Sequence, residues 1–152
     1  MIMDLTEFLS VQDAFSISSI CRRLNHVLYH ILYLDMSSDG KVDVEDEEVN
    51  ISNFIHLTNL DLSFCTKVRS IKNLTNLISL NLMDNDIICD ISRLTKLQRL
   101  TISSSDCVPY MFNLIHLTEL NSYWDIPFPD ISRYSNLVKL DLGCNRYIDD
   151  IS

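Results

Sequence analysis

The stretch Leu57-Thr-Asn-Leu60-Asp-Leu62 returns twenty residues later as Leu77-Ile-Ser-Leu80-Asn-Leu82, and this repetition decides the fold. The same phrase opens three further units, at Leu97, Leu117 and Leu137. Within each phrase, leucines two positions apart predict a β-strand with one buried face. One unit cannot bury its own leucines, so the repetition predicts a solenoid of stacked parallel strands.

The rest of each unit predicts a return arm that carries the chain back to the next strand. Two apolar columns follow the strands, at Ile71, Ile91, Met111, Ile131 and Ile151, and at Leu74, Leu94, Leu114 and Tyr134. Twenty residues leave room for an extended arm or a tight turn rather than a full helix. Asn85 and Asn145, three positions after the last strand leucine, are placed to hydrogen-bond the backbone where the chain turns. A sixth, earlier unit begins at Ile31 and contains an acidic insertion at 42–49.

The pattern L-x-x-L-x-L-x-x-N/C resembles the leucine-rich repeat family, and the resemblance covers residues 31–152. It implies an α/β fold: a leucine-rich repeat solenoid of about six units, mostly of 20 residues, with short parallel β-strands on a concave face. It also implies a protein that binds another protein, through that concave face or through the open C-terminal edge.

Residues 1–30 predict a helical N-terminal cap, because apolar side chains there recur every three or four positions. They are Ile17, Ile20, Leu24, Val27 and Leu28, continuing to Ile31. The phrase Ser19-Ile-Cys-Arg-Arg-Leu-Asn25, after Phe8-Leu9-Ser10, resembles the F-box. That resemblance implies an alternative function as a substrate receptor of a cullin-type ubiquitin ligase, whose adaptor would bind residues 4–30. The other interpretation is a helical cap alone.

The strand residues between the leucines are the candidate partner-binding residues, because they face away from the core. We select Asp61, Asn81, Arg99, Glu119, Asn121, Tyr123, Trp124 and Asp141. Tyr123 and Trp124 form an aromatic pair of the kind that dominates binding energy at interfaces. Trp124 could instead fold into the core, since Ser122 replaces the third leucine of its unit.

An acidic stretch early in the chain is a candidate metal site. It resembles the EF-hand calcium loop, with oxygen ligands expected from Asp35, Ser37, Asp39, Asp43 and Asp46 and a sharp turn at Gly40. It implies a third function, a structural assembly subunit with a weak calcium loop. A solvated acidic loop is the alternative, and the repeat phase assigns Asp35 to a strand.

Composition narrows the functional classes further. A net charge of -9 argues against nucleic acid as a partner, and two glycines cannot build a phosphate-binding loop. His56 and His116 recur at the same repeat position, which favours a structural or surface role over catalysis. We expect no enzyme activity, no cofactor, no membrane span, free cysteines and an intracellular location. The last unit, through Ile148 and Ile151, is expected to offer an open edge for self-association or a partner.

Overall fold

The computed structural model describes residues 33–35, 48–123 and 131–143. These residues form one parallel sheet whose strands follow the chain order. The strands are β1 (Tyr33–Asp35), β2 (Asn59–Asp61), β3 (Ser79–Leu82), β4 (Arg99–Ile102), β5 (Glu119–Ser122) and β6 (Lys139–Asp141). The predicted solenoid of stacked parallel strands is therefore confirmed.

The strand register reproduces the twenty-residue period of the sequence. From β2 to β6 each strand pairs with the residues twenty positions later, so that Leu60 lies beside Leu80 and Leu80 beside Leu100. Between β1 and β2 the offset is 26 residues, with Leu34 beside Leu60. The insertion predicted in the first unit therefore leaves the strand register intact.

The buried apolar side chains of the coil that begins at Leu57 are spaced almost entirely by three residues. From Leu57 to Leu77 they follow one another three positions apart, except for the single two-residue step between Leu60 and Leu62. Each of these side chains is at most 4% exposed: Leu57, Leu60, Leu62, Cys65, Val68, Ile71, Leu74 and Leu77. Each buried leucine contributes roughly 1.5–3 kcal/mol to stability. The column of Val68 and Ile88 belongs to this core and was missing from the sequence-based columns.

Successive turns produce the three-residue step. The backbone N–H of Leu74 donates to the carbonyl oxygen of Ile71, and that of Leu77 donates to Leu74. Three residues per turn place side chains at i and i+3 on the same side of the chain, so the apolar columns all face inward. The same pair of turns recurs in the units that contain Ile51, Ile91, Met111 and Ile131.

The return arms described by the structure contain turns and two 3-10 helices, at Ser105–Tyr110 and Ile131–Arg133, and no α-helix. This confirms the prediction of a tight arm. The α component of the predicted α/β class rests on the helical cap at 1–30. That cap lies outside the described residues and stays a prediction.

The side chain of Asn85 stabilises the turn that follows β3. This side chain is 1% exposed. The amide Nδ2 donates to the carbonyl oxygens of Leu62 (2.9 Å) and Cys65 (2.8 Å) in the preceding coil. The amide Oδ1 accepts from the backbone N–H groups of Ile87 and Ile88. The predicted backbone-bonding role is confirmed for Asn85, whereas Asn145 lies outside the described residues.

Replacing Asn85 by alanine is expected to destabilise the fold by about 3 kcal/mol, because four backbone groups lose their partner in a buried setting. Urea denaturation followed by circular dichroism measures this loss. The control is Asn76→Ala, which removes an exposed amide bonded to the Ile55 carbonyl and should cost less than about 1 kcal/mol. Equal losses in the two variants would contradict the structural role of Asn85.

Candidate interaction face

The sheet presents one face that the core does not cover, here called the open face. It consists of two columns of side chains that alternate with the buried leucines along the strands. The first column is Asn59, Ser79, Arg99, Glu119 and Lys139; the second is Asp61, Asn81, Thr101, Asn121 and Asp141. All ten are partly or fully exposed. Neighbouring members of a column are about 4.8 Å apart, the spacing of paired strands.

The side chains of the second column are partly or fully exposed, and several of them also stabilise the ends of the strands. Asp61 Oδ1 accepts from the backbone N–H (2.9 Å) and the hydroxyl (2.7 Å) of Ser63. Its Oδ2 accepts from Asn81 Nδ2 at 2.9 Å. Asn81 and Asp141 likewise accept from the backbone N–H two positions later, at Met83 and Gly143. These side chains end the strands as Asx turns.

Weaker contacts hold the first column. Arg99 donates from Nε to Ser79 Oγ and from Nη2 to Asn59 Oδ1, both at 3.4 Å. Lys139 Nζ lies 4.0 Å from Glu119 Oε2, and the two side chains are 61% and 38% exposed. Exposed ion pairs of this kind contribute at most about 1 kcal/mol and exchange partners readily. The charges of the first column are therefore available to a binding partner.

Tyr123 and Phe64 lie at the edge of the open face. Tyr123 is partly exposed, and a Cβ added at Gly143 would lie 3.4 Å from its Cδ1. Phe64 is 43% exposed and has a positive φ of 57°, a conformation uncommon for a residue with a side chain. Trp124 lies outside the described residues, so the choice between hot spot and core stays open for it. Ser122 is fully buried in the leucine column, and its Oγ has no hydrogen-bond partner in the described part of the chain.

The other candidate sites are placed only in part. The backbone of Asp35 lies in β1 beside Asp61, as the repeat phase predicted. The remaining candidate calcium ligands, at 37, 39, 43 and 46, lie outside the described residues, as does the F-box-like segment. Within the described ranges, no group of three or more His, Cys, Asp or Glu side chains could hold a metal ion. His56 and His116 are both exposed, in line with their predicted surface role.

The self-association expected of the last unit stays a prediction. Leu137 and Leu140 are partly exposed, whereas their counterparts Leu117 and Leu120 are buried. Residues 144–152, which complete that unit, lie outside the described residues.

One cluster of exposed apolar side chains was not predicted from the sequence. Tyr110, Phe112 and Ile115 are 38%, 52% and 53% exposed on the return arm of a single unit. The signal was present in the alignment of units, because all three positions are polar in the preceding unit, where Asp90, Ser92 and Thr95 stand one period before Tyr110, Phe112 and Ile115.

No family model matches the chain, and no curated protein matches it. No helix in ranges 33–35, 48–123 and 131–143 has the length and apolar character that a membrane crossing requires. The structure itself defines the class: a solenoid of parallel β-strands with a twenty-residue coil and one open, polar sheet face.

The two columns of the open face are expected to respond differently to alanine. Asp61→Ala removes three accepted hydrogen bonds and should lower the free energy of unfolding by about 2 kcal/mol. Arg99→Ala removes only long, exposed contacts and should change it by less than about 0.5 kcal/mol. Urea titration of both variants checks this. An Arg99 variant as unstable as the Asp61 variant would show that the first column is also structural.

Proposed function

We propose that the chain is a non-enzymatic module that binds another protein through its open face. The observation that carries the proposal is the first column, in which Arg99, Glu119 and Lys139 present charges that no turn or buried contact requires. Solenoids use such extended, regularly spaced surfaces for recognition. The second column supplies carbonyl and carboxyl oxygens beside these charges, held in place by the strand ends.

The proposed partner is a folded protein with a complementary row of charges. The exposed positive groups Arg99 and Lys139 flank the negative Glu119, so the column alternates in sign along the stack. Alternating charges set the register of a partner and disfavour surfaces of a single sign, such as a nucleic acid backbone. Tyr123, at the edge of these charges, supplies an aromatic anchor of the kind that interfaces favour.

We further infer that the coils are leucine-rich repeats and that the open face is the concave one. The support is the phrase L-x-x-L-x-L-x-x-N/C together with the buried Asn85, which joins neighbouring coils through their backbones. An intracellular location fits the free thiols of Cys65, Cys89 and Cys107. Among the described residues, no observation favours the ubiquitin-ligase alternative over simple partner binding.

The test is affinity capture from source cells with quantitative mass spectrometry, using a double variant and a charge-matched control. Arg99→Ala with Lys139→Ala removes two positive charges from the open face. Lys72→Ala with Arg93→Ala removes two from exposed positions on the return arms. Loss of a pair of central contacts weakens binding by about tenfold or more.

We expect the open-face variant to lose at least about this factor in recovered partner, while the return-arm control keeps the wild-type yield. Equal recovery with both variants would remove the open face as the binding surface. Circular dichroism of each variant confirms that the fold is retained.

A further inference from the structure

Two thiols from consecutive coils meet at the side of the solenoid. Cys107 Sγ donates to the carbonyl oxygen of Ile88 at 3.2 Å, which places it beside Cys89, the next residue of that chain segment. The two thiols are close enough for each to affect the pKa of the other, and both are free. Cys107 is fully buried, whereas Cys89 is partly exposed.

An irregularity of the unit that begins at Leu97 creates this pairing. In the two preceding units the core position is filled by Val68 and Ile88. In the Leu97 unit, the 3-10 helix Ser105–Tyr110 turns Cys107 into the core and leaves Val108 only partly buried. The pair is 18 residues apart in sequence and forms no CxxC motif, so the spacing of the cysteines did not reveal it.

We propose that Cys89 and Cys107 are a site of intramolecular thiol oxidation, at which a small neutral peroxide converts the pair into a disulfide that ties two consecutive coils together. The geometric basis is the 3.2 Å contact between Cys107 Sγ and the carbonyl oxygen of Ile88, the residue that precedes Cys89. A disulfide requires a Cα separation of about 4.4–6.8 Å, so only segments that lie this close can be crosslinked.

The reaction begins at Cys89, because its thiol is the one that solvent reaches. The Cys89 thiolate attacks one peroxide oxygen, the O–O bond breaks, and the leaving hydroxide takes a proton to become water. Cys89 is now a sulfenic acid. The sulfur of Cys107 displaces its hydroxyl group, which leaves as a second water with the Cys107 proton. In sum, two thiols and one hydrogen peroxide give one disulfide and two waters.

The surroundings of the two thiols slow their oxidation and favour a small neutral oxidant. Burial raises the pKa of the Cys107 thiol to about 12, with the neighbouring Cys89, Asp106 and Asp86 adding to the effect. The pKa of Cys89 is also raised, first by burial and then by the charges of Asp106 and Asp86. Little thiolate exists at neutral pH, and oxidation accelerates as pH rises toward the pKa. The two carboxylates and the burial of Cys107 also disfavour a bulky anionic oxidant such as glutathione disulfide.

The experiment treats the folded full-length chain with hydrogen peroxide at neutral and at mildly alkaline pH. Alkylation of the remaining thiols and tryptic mapping under non-reducing conditions follow. Cleavage after lysine and arginine places Cys89 in the peptide 73–93 and Cys107 in the peptide 100–133, each without another cysteine. The readout is a linked peptide that is lighter than its two parts by two hydrogen atoms.

We expect the linked peptide in the wild-type chain and in Cys65→Ser, a control that removes another buried thiol. It should form several-fold faster at the higher pH and raise the unfolding temperature, because it closes a loop in the unfolded chain. In Cys89→Ser it should be absent, with the Cys107 thiol still alkylated only after unfolding.

Two outcomes would overturn the proposal. One is peroxide treatment that oxidises Cys89 to the sulfinic acid while Cys107 stays a free thiol. The other is a set of disulfides in which Cys21, Cys65 or Cys144 pairs as often as Cys107. Circular dichroism of Cys89→Ser before treatment shows that its result reports on chemistry and not on unfolding.

Discussion

The parallel register between coils is the constraint on which the rest of the structure depends. Strands from β2 to β6 pair with an offset of twenty residues, so every apolar column of one coil lies against the same column of the next. A slip of a single residue would turn the buried leucines of a strand outward and expose the core. The units that begin at Leu57 and Leu77 meet this constraint with buried side chains three residues apart everywhere except within the strand.

The same register arranges the functional surface. Side chains on either side of Leu60, Leu80 and their counterparts align into the two columns of the open face. The second column ends strands and joins coils, as Asp61 does with Ser63 and Asn81. Arg99 and Lys139 of the first column make only long, exposed contacts, so substitutions there are expected to leave the fold intact. The second column therefore maintains the scaffold, and the first column is the one proposed to recognise a partner.

The sequence predicted the strands, the stacking and the tight return arms. Leucines that repeat in phase are buried when the units stack on one another. It also predicted the role of Asn85. It missed the Val68 and Ile88 column and the exposed Tyr110, Phe112 and Ile115, since both depend on how the arm turns between the columns. The proximity of Cys89 and Cys107 was not predicted for the same reason: a local 3-10 helix decides which side chain of the unit that begins at Leu97 faces inward.

The sequence predicted that the candidate binding residues lie on one face, but it did not distinguish their individual roles. Asp61, Arg99 and Glu119 look alike in a repeat alignment, as polar residues between leucines. Only the hydrogen bonds distinguish Asp61, whose carboxylate holds the end of its strand, from Arg99, whose contacts are long and exposed. The partner itself cannot be predicted from either, because fold and face do not specify a ligand.

The central claim is that the strands stack in parallel and that each strand contributes one residue to each column. Distances between pairs of spin labels test this claim directly. Labels carried by unnatural amino acids avoid the five native cysteines. They would be placed in three pairs: Asn59 with Glu119, Asn59 with Lys139, and Tyr33 with Lys139. These pairs span three, four and five coils, so the account predicts distances of about 14, 19 and 24 Å, rising by about 4.8 Å for each coil. Distances that fail to rise with the number of intervening coils would contradict the stacked parallel register.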